Sequence, residues 1–176
     1  MSMATDYKAD TIKVRIPDAT RGAEIGVHRG KNSADLLAAM PGLRMLLVDP
    51  WPHTEHMLAT IEAVSPYASR VLIAPTTSSL ARNLVADEEM DFVYIDGNHS
   101  QGAIQQDIKL WWPTIKPGGW LCGHDYWNPE DPAYKKTQGV CVEVDAFCER
   151  TGLPLERDRF AGWFVRKPED WICEPS

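Results

Sequence analysis

The 176-residue chain has no basic run longer than Lys135-Lys136 and carries a formal net charge of −7. That excludes an extended phosphate-binding or anionic-membrane surface and favours a small-molecule partner. No stretch approaches the roughly 18 consecutive apolar residues of a membrane span, and the opening MSMATDYKAD lacks the apolar core of a signal peptide. A cytoplasmic protein without nucleic-acid or membrane partners is therefore expected. The four cysteines, Cys122, Cys141, Cys148 and Cys173, form no CxxC pair, so buried reduced thiols are expected rather than a disulfide framework. Internal repeats and low-complexity linkers are also lacking. The expectation is one domain over residues 1–176 with residues 1–10 frayed, large enough to bury about 70% of its unfolded surface.

What is abundant is tryptophan, seven in all. Trp111, Trp112, Trp120, Trp127 and Trp163 fall late in the chain, where core packing or the wall of a pocket is their expected role. The organising stretch is DFVYIDGNHSQGAIQQDI, Asp91 to Ile108. Phe92 to Ile95 reads as a strand covered on both faces, and Gly97 turns the chain. Asp96, Asn98 and His99 thus stand at the carboxyl end of a central strand, where open α/β sheets place their ligands. The alternative is that they cap the helix that follows.

The remaining elements alternate. Ile12 to Ile16 switches between apolar and charged residues and predicts a short edge strand. In AEIGVHRGKNSADLLAAM a strand ends at Glu24-Ile25-Gly26 and a helix opens near Asn32-Ser33, with Gly26 and Gly30 flanking a turn where backbone can approach a ligand. RMLLVD, Arg44 to Asp49, is a second strand ending in an acid about 20 residues after that turn, the spacing of a ribose-binding carboxylate. Trp51 then either packs on an adenine face or covers the sheet edge. His53 and His56 in HTEH lack a nearby third ligand, so a solvated helix start is expected there. Arg70 to Ala74 predicts a third strand leading to the hydroxyl-rich PTTSS, where Ser78 either contacts a nucleotide base or caps the helix Leu80 to Val85. IKPGGWLCGHDYW predicts a strand at Trp120 to Cys122 ending in His124 and Asp125. A helix from Gly139 and an antiparallel pair, Leu153 to Glu156 with Trp163 to Arg166, close the chain. The count predicts a doubly wound, mostly parallel sheet with an antiparallel edge.

EIGVHRG, IDGNH and KPGGWLCGHDY, in this order and at these elements, resemble the motifs of class I S-adenosylmethionine-dependent methyltransferases. The likeness is to small O-methyltransferases and their catechol O-methyltransferase-like, metal-dependent branch. It spans Ala23 to Lys167. It implies a Rossmann-like seven-stranded sheet with one antiparallel C-terminal strand, and S-adenosylmethionine as cofactor. By that resemblance Glu24, Gly26 and Gly30 shape the methionine and ribose site, Asp49 binds the ribose hydroxyls, Ser78 lies near adenine, and Asp96 borders the cofactor. Asp96, His124 and Asp125 match the positions of divalent metal ligands, and His99 that of a general base. His28 stands where many relatives carry glycine, and His124 where a carboxylate is common. Mg²⁺ is the expected metal, with Mn²⁺, Fe²⁺ or Zn²⁺ as competitors because of the nitrogen donor, unless His124 instead orients Asp125. The expected activity is methyl transfer to a hydroxyl of a small acceptor, with a second subunit as a candidate cover for the pocket in a homo-oligomer. A metal-dependent oxidoreductase or hydroxylase, and a non-catalytic S-adenosylmethionine-binding domain, are the alternatives.

Overall fold

The computed structural model describes residues 7–171, so Cys173 lies outside the described residues. Strands β1 (Arg21–Ile25), β2 (Arg44–Val48), β3 (Val71–Ala74), β4 (Met90–Ile95), β5 (Ile115–Gly123), β6 (Glu156–Arg157) and β7 (Trp163–Arg166) form one sheet in the order β3-β2-β1-β4-β5-β7-β6. The first five are parallel. β7 runs antiparallel to both β5 and β6 and is the one reversed strand among the described residues. The chain leaves β3 at one edge and re-enters as β4 on the far side of β1. This reversal of winding opens a crevice at the carboxyl ends of β1 and β4.

Among the described residues, six α-helices, α1 (Tyr7–Arg15), α2 (Lys31–Ala39), α3 (Thr54–Val64), α4 (Ser78–Ala81), α5 (Gln101–Trp111) and α6 (Tyr134–Thr151), cover the two faces. Period-two alternation divides the sheet between them. Ala23, Ile25, Val93 and Ile95 pack with Ile104, Trp111 and Val144 of α5 and α6. Met45, Leu47, Phe92 and Tyr94 pack with Ile12, Leu36 and Val64 of α1 to α3. Trp111 and Trp163 are fully buried, each a side chain whose loss costs about 3–5 kcal/mol.

The segment expected as an edge strand is helical. Ile12, Val14 and Ile16 alternate as a strand would, yet the buried positions are Ala9 at 3% and Ile12 at 0% exposure, with Ile16 packed beside them, while Val14 is 79% exposed. That 9-12-16 spacing is one helix face, and it lays α1 across α2. Residues 7–10, expected to fray, form the first turn of α1. The helix expected over Leu80 to Val85 is instead the short α4 running into a 3₁₀ turn at Arg82–Leu84. Leu72, Leu80 and Leu84 remain exposed there.

Candidate active site at the strand ends

The carboxyl ends of β1, β2 and β4 surround a cavity of about 580 Å³ whose wall includes Gly26, Asp49, Ser78, Asp96 and Asp107. A larger cleft of about 780 Å³ lies between α5 and α6. The strand-end cavity is the one where the acids predicted from sequence converge.

Gly26 holds the turn after β1 against the turn after β4. Its φ is +88°, and a Cβ there would stand 2.5 Å from the Asp96 carbonyl oxygen, so a side chain is excluded on two counts. Gly30 adopts φ +74° as the residue before α2 and abuts Thr60 of α3. Between them His28 takes a left-handed φ of 56°. Its N–H and that of Val27 each donate to Asp49 Oδ2 at 3.0 Å, and the Trp51 N–H donates to Asp49 Oδ1 at 2.7 Å. Three backbone donors thus fix Asp49 at the end of β2. Trp51 is buried at 6% exposure, and its indole donates to the His28 carbonyl at 2.8 Å. Of the two roles expected for it, covering the sheet is the one it fills.

Glu24 faces the opposite side of β1 from Ala23 and Ile25, as alternation requires. It is 2% exposed and accepts from Asn32 Nδ2 at 3.0 Å and from the Ser33 hydroxyl. Burial pushes its carboxyl up to about 7, against the hydrogen bonds from Ser33 and Asn32. The strand-end cavity is lined by Ile25 and Gly26, and neither Glu24 nor Gly30 is part of its wall.

Ser78 sits at the far end of the cavity. Thr77 Oγ1 caps α4 by accepting from the Leu80 N–H, which frees Ser78 from the capping role considered for it. The Ser78 hydroxyl lies 2.5 Å from Asp107 Oδ1, and the Trp111 indole N–H donates to Ser78 Oγ at 2.8 Å. Asp107 is the penultimate residue of the IDGNHSQGAIQQDI stretch, but sequence reasoning gave it no role. The signal was available as an acid within the apolar stripe of Ile104, Ile108 and Trp111.

The second half of the site lies at the ends of β4 and β5. Asp96, His124 and Asp125 each place a ligand atom within 4.8 Å of the others, with side chains 16–18% exposed. Asp125 adopts φ 66°; its Oδ1 accepts from the Trp127 indole at 3.0 Å. Asp125 Oδ2 lies 3.0 Å from His99 Nε2 and 3.3 Å from His124 Nδ1. The His99 nitrogen makes no aligned hydrogen bond, so its contact with Asp125 is close but off-axis. Burial acts to raise Asp125, but His124, His99 and Trp127 outweigh it and hold the carboxylate well below its usual range. The same contact with Asp125 raises His99, against partial burial. Burial raises Asp96, opposed by the Lys8 ammonium of α1 at 2.6 Å. Lys8 is a site residue that no local motif marks, whereas Trp127 closes the IKPGGWLCGHDYW stretch. α6 meets the His99 loop at Gly139, where a Cβ would lie 2.5 Å from the His99 carbonyl oxygen.

Two half-buried carboxylates and an imidazole suit a divalent cation. The presence of Lys8 at Asp96 shows that this cluster already draws positive charge. The His124–Asp125 contact is also the one expected if His124 orients Asp125.

A model of the methyltransferase domain family matches residues 23–126. Among solved structures, the fold is similar to a candidate caffeoyl-CoA O-methyltransferase from Staphylococcus aureus (TM-score 0.72, 14% identity, covering 93% of this chain and 84% of that one). It is also similar to the O-methyltransferase TomG from Streptomyces achromogenes, involved in tomaymycin synthesis and solved in complex with S-adenosylmethionine (0.69, 16%, 96% and 81%). A third similar fold is the N-methyltransferase NodS from Bradyrhizobium japonicum (0.65, 14%, 93% and 95%). At these identities the likeness establishes the fold, and the neighbours' own acceptors are not uniform.

Proposed function

The chain belongs to the methyltransferase domain family, and on that premise we propose that it transfers the methyl group of S-adenosylmethionine to a hydroxyl oxygen of a small acceptor. The observation that carries this reading is the cluster of His99, His124 and Asp125 beside Asp96, which itself lines the strand-end cavity. Asp49 would hold the ribose hydroxyls of the cofactor, Ser78 would lie near its base, and Gly26 would leave room for it at the turn after β1. Glu24 and Gly30 act indirectly, Glu24 by fixing the start of α2 and Gly30 by seating α2 on α3.

Asp96, His124 and Asp125 would hold a divalent ion, Mg²⁺ or, with a nitrogen donor present, Mn²⁺. Such an ion supplies charge that lowers the pKa of an acceptor hydroxyl. The chain's own residues do the rest. His99 removes the hydroxyl proton while Asp125 stabilises the imidazolium that results. S-adenosylmethionine, when bound, would supply a methyl group activated on its sulfonium, whose bond to sulfur is exchanged for one to the acceptor oxygen with the electron pair left on S-adenosylhomocysteine. Positioning supplies most of the acceleration, because the sulfonium is already an activated donor.

Replacement of His99 tests the base. His99→Ala is expected to keep its affinity for S-adenosylhomocysteine and to lose about 10²–10⁴-fold in turnover. Turnover equal to wild type, measured as S-adenosylhomocysteine release across a panel of hydroxylated acceptors, removes His99 from the reaction.

A further inference from the structure

Three carboxylates line the strand-end cavity, and two of them are committed. Asp49 accepts three backbone N–H groups, and Asp96 holds Lys8. Asp107 is different. It is 7% exposed on α5, its Oδ1 is engaged by Ser78, and its Oδ2 has no hydrogen-bond partner among the described residues. The polarity of that contact is fixed by the next group along. The Trp111 indole can only donate, and it donates to Ser78 Oγ. The Ser78 proton is therefore directed to Asp107 Oδ1, leaving Oδ2 as an acceptor in the part of the cavity lined by Thr77, Ser78 and Ser79 of the loop after β3 and the start of α4.

We propose that Asp107 is the residue that selects the base of the cofactor, its Oδ2 accepting a hydrogen bond from the exocyclic amine of adenine. The inference rests on the reading of this cavity as the S-adenosylmethionine site. A carboxylate at this place welcomes an amino group and repels a keto oxygen. The loss on presenting the wrong base is that of a buried acceptor left unpaired and opposed by another acceptor. Ser78 and Trp111 are positioning residues that hold the carboxylate in this orientation.

The test is the affinity, by titration calorimetry, of S-adenosylhomocysteine and of its deaminated counterpart, S-inosylhomocysteine. Wild type is expected to prefer the adenine form by roughly tenfold to a hundredfold. In Asp107→Asn the Ser78 proton still needs an acceptor and takes the amide oxygen, so the amide NH₂ turns toward the base and the preference reverses. A reversal is not expected of a residue whose role is only to hold α4 to α5. Far-UV circular dichroism and a thermal melt establish that the variant is folded. A wild-type ratio near one overturns the proposal without any variant, as does a folded Asp107→Asn that keeps the wild-type ratio. Folded wild type that binds neither compound overturns the cofactor reading itself, and the proposal with it; binding of both without discrimination overturns the proposal alone.

Discussion

Glu24 is an acid with its pKa raised to about 7 by burial in the folded chain, and the pH dependence of stability follows from that. Between its ordinary value of 4.5 and about 7, the folded state binds a proton at Glu24 that the unfolded state has released, so stability falls as pH rises. The stabilisation is complete below about 4.5 and lost above about 7. At about 1.36 kcal/mol per pH unit, that interval corresponds to roughly 3 kcal/mol, a large share of the typical 5–15 kcal/mol for a domain. Glu24→Gln keeps an oxygen for Asn32 and a polar group for Ser33 and does not titrate. The difference in unfolding free energy between Glu24→Gln and wild type should therefore shift in favour of the variant by roughly 3 kcal/mol between pH 4.5 and 8. Urea unfolding of both proteins at closely spaced pH values measures it. Other groups raised by burial, Asp96 and Asp107, are common to both proteins and largely cancel. Curves that run parallel from pH 4.5 to 8 would refute the reasoning, because they would mean Glu24 titrates alike folded and unfolded.

Gly26→Ala puts a methyl group 2.5 Å from the Asp96 carbonyl oxygen on a backbone with φ +88°. It is expected to destabilise the chain by about 1–3 kcal/mol and to weaken S-adenosylhomocysteine binding, read by thermal denaturation with and without the ligand; an unchanged melting temperature and ligand shift would contradict the packing argument. Asp96→Asn and Asp125→Asn are each expected to weaken Mn²⁺ binding at least tenfold, followed by the electron paramagnetic resonance signal of the free ion, and wild-type affinity in either variant would remove that carboxylate from the metal site.

Much of the fold is legible in the sequence because its central strands are short apolar runs bounded by polar turns. Phe92 to Ile95 and Met45 to Val48 have both faces covered, and such strands need no partner information to be recognised. The four groups at the ends of β4 and β5 were legible for the same reason: a residue just past a central parallel strand points into the crevice. Period and parity are where reading fails. Ile12, Val14 and Ile16 satisfy a strand's alternation, but Ala9 and Ile12 bury on a helical face and leave Val14 in solvent, a choice made by the waiting surface of α2. Glu24 is one residue from Ile25, and that single step directs it toward Asn32 and Ser33 and away from the cavity. Lys8 reaches Asp96 across 88 positions of sequence. Only tertiary structure brings such a pair together.

The central claim is metal-assisted methyl transfer to oxygen at the Asp96–His124–Asp125 cluster. The most direct measurement is S-adenosylhomocysteine release from S-adenosylmethionine with a hydroxylated acceptor, in excess chelator and after Mg²⁺ or Mn²⁺ is restored. The account predicts release that stops in chelator and returns with the ion. Undiminished release in chelator would contradict it.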